Sequence, residues 1–172
     1  MRTFTTEHTV YKFDELTNEA QERALSDYRQ NNDYPFLADE MEYHLEVLLD
    51  KYGLTYDIGI DSNPKIQYSL SYCQGDGAMF TGVVFWKSYT AIIGHSGHYY
   101  HYNSKTIDLT STKTDKEASE QKYNEFNDIY VSLCQELEKY GYDCIEASDS
   151  EGNIIDNIID CEYEFYADGS VA

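Results

Sequence analysis

The sequence predicts an α+β fold: an antiparallel β-sheet of about five to six strands with three to four helices packed mainly on one face. Three observations carry that prediction. Strand-like patterns are gathered between Leu54 and Leu109, while helical periodicity occupies the flanks, a segregation that suits an antiparallel sheet with helices laid against it. Residues 66 to 72, Ile-Gln-Tyr-Ser-Leu-Ser-Tyr, alternate with a period of two and put Ile66, Tyr68, Leu70 and Tyr72 on one face of a half-buried strand. Phe126, Ile129, Tyr130, Leu133, Leu137 and Tyr140 recur at three- and four-residue spacing, as a long amphipathic helix requires.

Taken in order, Thr9 to Phe13 alternates and is expected as a short edge strand. Thr17 is placed to cap a helix running to Tyr28, with Ala20, Ala24, Leu25 and Tyr28 as its apolar stripe. Pro35 suits the first position of a second helix. Met41, Leu45, Leu48, Leu49 and Tyr52 are that helix's buried stripe, and Gly53 is its left-handed stop. A strand is expected over Leu54 to Ile60, with Tyr56, Ile58 and Ile60 on one face, followed by a turn at Asp61-Ser62-Asn63-Pro64.

Met79 to Trp86 is apolar on both faces, which predicts a central strand covered on each side. Strand character continues from Ser88 to Leu109, anchored by Ala91-Ile92-Ile93, Ile107 and Leu109. Ser111 to Asp115 is a polar connection to the long helix, expected from Lys116 to Tyr140 and ended by Gly141. Ser148 and Glu151 have capping-box spacing ahead of Ile154, Ile155, Ile158 and Ile159, and the alternating segment from Cys161 to Phe165 is expected as a last strand.

At 172 residues the chain is expected to form a single domain spanning residues 1–172. Thirty-two acidic residues against twelve basic ones give a net charge of −20. Charge of that sign opposes binding to nucleic acid or an anionic membrane and favours a partner protein with a basic surface. Eighteen Tyr and seven Phe supply the burial that a disordered acidic chain lacks. Cys73, Cys134, Cys144 and Cys161 form no CxxC pair, and no apolar signal segment precedes them, so they are expected as reduced, buried cysteines of a cytoplasmic protein. No apolar run approaches the length of a membrane span.

Two motifs invite chemistry. His95, His98 and His101 have the residue type of a metal site, and with Asp76 they would make a metal-dependent hydrolytic enzyme. In an extended chain, however, His98 and His101 sit on opposite faces, so the expectation is no metal, no cofactor and no catalysis. Gln74-Gly75-Asp76-Gly77 has the glycines of a phosphate-binding loop but lacks the lysine, the spacing and the following helix. It reads as a hairpin turn in which Gly77 takes positive φ. The surplus carboxylates leave recognition as the expected role, with Asp39, Glu40, Glu42, Glu46 and Asp50 on the second helix, and Gln74 and Asp76 in the turn, as the candidate binding residues. Their density is comparable to that of phosphates, which is what occupying a nucleic-acid-binding groove demands.

Four segments carry a resemblance: Tyr11-Lys-Phe-Asp-Glu-Leu-Thr-Asn-Glu-Ala-Gln-Glu-Arg-Ala-Leu25, Gln74-Gly-Asp-Gly-Ala-Met-Phe80, Gly94-His-Ser-Gly-His-Tyr-Tyr-His101 and Glu162-Tyr-Glu-Phe-Tyr-Ala-Asp-Gly169. In this order they resemble a family of small acidic proteins of bacteriophages and prophages, often labelled "antitoxin of toxin-antitoxin stability system". The family supplies no catalytic residues to carry over. The resemblance implies an inhibitor acting in the bacterial host cytoplasm on a defence nuclease or its complex, of anti-CRISPR or anti-restriction type, by DNA mimicry. The family label implies the alternative, an antitoxin-like protein that neutralises a dedicated toxin.

Overall fold

The computed structural model describes residue 2, residues 7–57 and residues 63–172. Its elements in chain order are α1 (Asn18–Gln30), α2 (Leu37–Lys51), β1 (Leu54–Thr55), β2 (Lys65–Ser69), β3 (Gly77–Trp86), β4 (Tyr89–His95), β5 (Lys105–Ser111), α3 (Glu120–Ser148) and α4 (Glu151–Asp160). Short 3₁₀ turns lie at Phe13–Glu15 and Tyr102–Ser104. Among the described residues four helices and a five-stranded antiparallel sheet make the fold α+β, as the sequence predicts. The chain divides into two compact units, residues 1–35 with 145–172, and residues 36–144.

The 36–144 unit holds the sheet. β3 is its centre, with β1 and β4 on its two edges along its second half, β2 paired with its first half, Gly77 to Thr81, and β5 beyond β4. Ala78, Phe80, Val84 and Trp86 of β3, Ala91 and Ile93 of β4, and Leu109 of β5 share one face. They pack with Met41, Leu45, Leu48 and Leu49 of α2 and Phe126, Tyr130, Leu133 and Leu137 of α3 in one core. The fully buried Tyr130 is satisfied by donating to the Phe80 carbonyl at 2.9 Å.

The opposite face is fully covered only at its start, where Met79 is buried: Thr81, Val83 and Phe85 are half-buried and Ile92 is 55 % exposed, less cover than the sequence predicts. β-branched and aromatic residues tolerate such a half-wet pleated surface. The strand expected over Leu54 to Ile60 is strand only at Leu54–Thr55, and Ile58, Gly59, Ile60, Asp61 and Ser62 lie outside the described residues. Ser88 to Leu109 is two strands, because the chain leaves the sheet between Ser96 and Ser104. Pro35 precedes the helix by two residues, with Phe36 at the cap of α2, while Gly53 at φ +68° provides the left-handed stop as expected.

Gly141 does not end α3, which continues to Ser148. A Cβ there would collide with the ends of Leu70 and Met41, so this glycine is spent on close packing inside the helix. Its propensity cost, about 1 kcal/mol, is small beside the contact it allows. Of the four cysteines, all free, only Cys134 is buried; Cys144 is half-buried, and Cys73 and Cys161 are exposed, contrary to the expected burial.

The other unit has its own core of Phe13, Leu16, Ala20, Ala24, Leu25, Ile154, Ile158 and Phe165. Thr17 caps α1 through its hydroxyl, which accepts from the Ala20 N–H at 3.4 Å. The expected strands at both ends reduce to single bridges, Tyr11 with Phe165 and Phe165 with Val171. The Glu15 carboxylate draws the chain after Tyr11 into a 3₁₀ turn by accepting from the Lys12 N–H at 2.8 Å, and Glu162 at φ +54° breaks the extended run before Phe165. Ser150, not Ser148, occupies the cap of α4, and its side chain makes no capping bond.

Gly169, at φ +85°, lies where a Cβ would meet the Ala20 carbonyl, whereas Gly152 in α4 has open space around it. Gly169→Ala is therefore expected to destabilise by about 2 kcal/mol or more. Gly152→Ala is expected to stabilise by about 0.5 kcal/mol. Urea midpoints of the two variants against the parent check the opposite signs.

Candidate functional site

The turn between β2 and β3 is built on Asp76. One carboxylate oxygen, Oδ2, accepts from the backbone N–H groups of Ser71 at 2.7 Å and Cys73 at 2.8 Å, and from the Tyr142 hydroxyl at 2.8 Å. The other, Oδ1, accepts from the hydroxyls of Ser69 at 3.2 Å and Ser71 at 3.1 Å. Burial pushes the carboxyl up, but the bonds from Cys73, Tyr142 and Ser71 outweigh it and hold Asp76 down at about 2. Burial and the hydrogen bond to Asp76 push the Tyr142 phenol up to about 12. A carboxylate so engaged is a weak base, and no histidine is among its hydrogen-bond donors.

The His-Tyr loop that follows β4 lies directly on this turn. A Cβ at Gly75 would stand 2.6 Å from the Tyr99 ring, and one at Gly77 would stand 2.8 Å from the His101 ring. The two glycines therefore leave room for two rings, and the two sequence motifs form one surface. Gly75 carries the positive φ, +98°, where the turn chemistry pointed to Gly77. Tyr72, expected on the inner face of β2, sits at φ +56° and is 66 % exposed, tilted against Tyr142 at 4.7 Å between ring centres. With Tyr99 and Tyr100 it forms an exposed aromatic group on a tightly hydrogen-bonded support.

The three histidines are used locally. His95 Nε2 lies 3.1 Å from the Tyr99 carbonyl. His101 Nδ1 accepts from the Asn103 N–H at 3.1 Å, and its ring packs on Tyr102 at 3.8 Å. His98 is exposed. Among the described residues no three His, Cys, Asp or Glu side chains converge to hold a metal ion.

The candidate carboxylates Asp39, Glu40, Glu42, Glu46 and Asp50 are all exposed on α2, opposite its buried stripe. Phe36, Tyr43 and Val47 are exposed on the same side, 73, 67 and 45 %, and helical spacing sets them in a row flanked by acids. None of the ion pairs among the described residues includes any of these five carboxylates. Glu40 accepts from Tyr140 at 3.1 Å and Glu46 from Tyr56 at 3.3 Å, bonds that hold the acids without neutralising them. Tyr140 in turn stacks on His44 at 3.7 Å.

Residues 140 to 142 of α3 thus support both features, Tyr140 holding Glu40 and Tyr142 holding Asp76. Gln74 is exposed on the turn, whereas Asp76 faces inward as its anchor. Tyr142 was not legible as a partner of the turn, because a helix ended at Gly141 excludes it; the half-buried Glu138 lies one turn before it on α3. Burial raises the Glu138 carboxyl, with neighbouring His101 opposing the shift and Asp76 adding to it. The i, i+4 spacing of Glu138 and Tyr142 is the signal that places both on one face of α3.

Asp76 is held below its ordinary value of 3.8, at about 2, so its contribution is full above about pH 4 and is lost as pH falls through about 2. Asp76→Asn is expected to be less stable by about 1–3 kcal/mol at neutral pH. The gap should close as pH is lowered, and urea midpoints taken across that range measure it.

No family model matches the chain, and no curated protein and no solved structure matches it, so its own residues carry the functional conclusion.

Proposed function

We propose that the protein is a non-catalytic inhibitor that binds the basic, nucleic-acid-binding surface of another protein through the outer face of α2. The observation that carries this is the row of five carboxylates without an ion-pair partner among the described residues, interleaved with exposed Phe36, Tyr43 and Val47. Asp39 to Asp50 rises about 16 Å along the helix axis, so the five charges come on average about every 4 Å, close to the roughly 3.4 Å per phosphate along one DNA strand. A groove lined with Lys and Arg meets similar charge density on α2, and the apolar row adds contact area that DNA does not offer.

Tyr72, Tyr99 and Tyr100, at the β2–β3 turn and the loop packed on it, offer a similar type of surface: large rings that order cheaply and offer both apolar area and a hydroxyl. The resemblance to small acidic bacteriophage and prophage proteins supports a host defence complex in the bacterial cytoplasm as the target, of anti-CRISPR or anti-restriction type. Mimicry of DNA is the mode of action that this charge and this setting support together.

Replacing Glu40, Glu42 and Glu46 together by Gln keeps the acceptors for Tyr140 and Tyr56 and removes three charges. Capture of the host protein by the tagged chain is expected to weaken about tenfold or more in this variant, with thermal stability unchanged. Capture by the parent should fall steeply between about 0.05 M and 0.5 M salt and be displaced by duplex DNA. Binding indifferent to salt, to DNA and to the three substitutions would remove the proposal.

A further inference from the structure

The unit formed by residues 1–35 and 145–172 contains a cavity of about 360 Å³ between the end of α1, the loop after it, and the segment following α4. Its floor is apolar, with Ala24, Ile158 and the fully buried Phe165. Tyr28 and Tyr163 form two walls whose planes meet at 76°, with ring centres 6.4 Å apart. Asp27 and Asp33 supply carboxylates, and among the described residues no Lys, Arg or His lines the space. Asp27 is shared with Arg23 Nε at 3.7 Å, while Asp33 has no ion-pair partner among the described residues. The loop bearing Asp33 is held on either side: the Tyr34 hydroxyl donates to Asp149 Oδ2 at 2.7 Å, and the Asn32 amide donates to Asp149 Oδ1 at 3.1 Å.

We infer that this cavity binds an alkylammonium group, a cationic amine on a short apolar stem. Aromatic faces and a carboxylate both attract a cation, and the apolar floor takes the stem, as it takes the methylenes of a lysine side chain. Two rings set near a right angle make a corner rather than a slot. A corner suits a tetrahedral ammonium better than a planar guanidinium, which stacks along a ring face. The chain's net charge of −20 raises the local concentration of any such cation. The site stands independently of the α2 face. Its ligand chemistry has two sources, a lysine side chain presented by a partner protein or a free polyamine.

The test follows the amide NMR shifts of the cavity residues in the full chain during titration near neutral pH with pentylammonium and with its neutral isostere 1-pentanol. Pentylammonium is expected to bind at least about tenfold tighter than the alcohol. Tyr163→Leu keeps apolar bulk and Asp33→Asn keeps shape, and each is expected to weaken pentylammonium about threefold to tenfold. Both residues are surface-accessible, and circular dichroism confirms that the variants fold. A second titration compares terminally blocked Gly-Lys-Gly with spermidine: binding of the peptide as tight as that of pentylammonium assigns the site to a partner's lysine, and tighter binding of spermidine assigns it to a free polyamine. Equal binding of 1-pentanol, undiminished binding in both variants, or no binding of either second ligand would overturn the inference.

Discussion

Five donors converge on the Asp76 carboxylate, and the arrangement of the surface around it depends on that convergence. Three of them, the hydroxyl of Ser69 and the N–H and hydroxyl of Ser71, fix how the chain leaves β2. The Cys73 N–H fixes the middle of the turn, and the Tyr142 hydroxyl ties all of it to α3. Without the carboxylate, two backbone N–H groups in the turn would lose their acceptor, a loss of about 1–3 kcal/mol for each that stays away from water. With it, the turn is rigid enough to serve as a bed for Tyr99 and His101, which approach the backbone where Gly75 and Gly77 have no side chain.

The charge distribution follows a second constraint. Among the described residues, ion pairs engage Asp27, Glu125, Glu136, Asp143, Glu164 and Asp168, contacts at the surface, with Lys122–Glu125 part-buried, and of small individual value. Twelve cations cannot neutralise thirty-two acids, so an unbalanced field is built into the chain. α2 concentrates part of it while keeping a continuous apolar stripe for the core on its other side. The helix is therefore anchored by hydrophobic burial and leaves its outer carboxylates uninvolved in holding the fold together, apart from the bonds from Tyr140 and Tyr56.

Much of this was legible in the sequence where the period was long and unbroken. The stripe of α3, the stripe of α2 with its Gly53 stop, the Thr17 cap and the central position of β3 all follow from side-chain spacing. Short alternations were a poorer guide. Cys161 to Phe165 and Thr9 to Phe13 alternate as strands do, yet each finds a partner at a single position, since period two says nothing about whether a neighbour exists. Gly141 shows the ambiguity of glycine, which signals a helix end and a close contact with the same letter. The coupling of the turn to the His-Tyr loop was beyond local pattern altogether. It arises from the register of β3 with β4 and from α3 passing Tyr142 beneath the turn, both long-range facts.

The distribution of thiols decides where chemical wear on this molecule begins. Burial, against hydrogen bonds from Tyr130 and Phe80 that pull the other way, pushes the Cys134 thiol up to about 12, so it stays protonated and shielded. Cys73, on the turn that Asp76 holds, and Cys161, just past α4, are open to oxidants and alkylating reagents. Each unit therefore offers a reactive sulfur at its rim, and the first covalent damage falls on exposed loops and spares the packed interior.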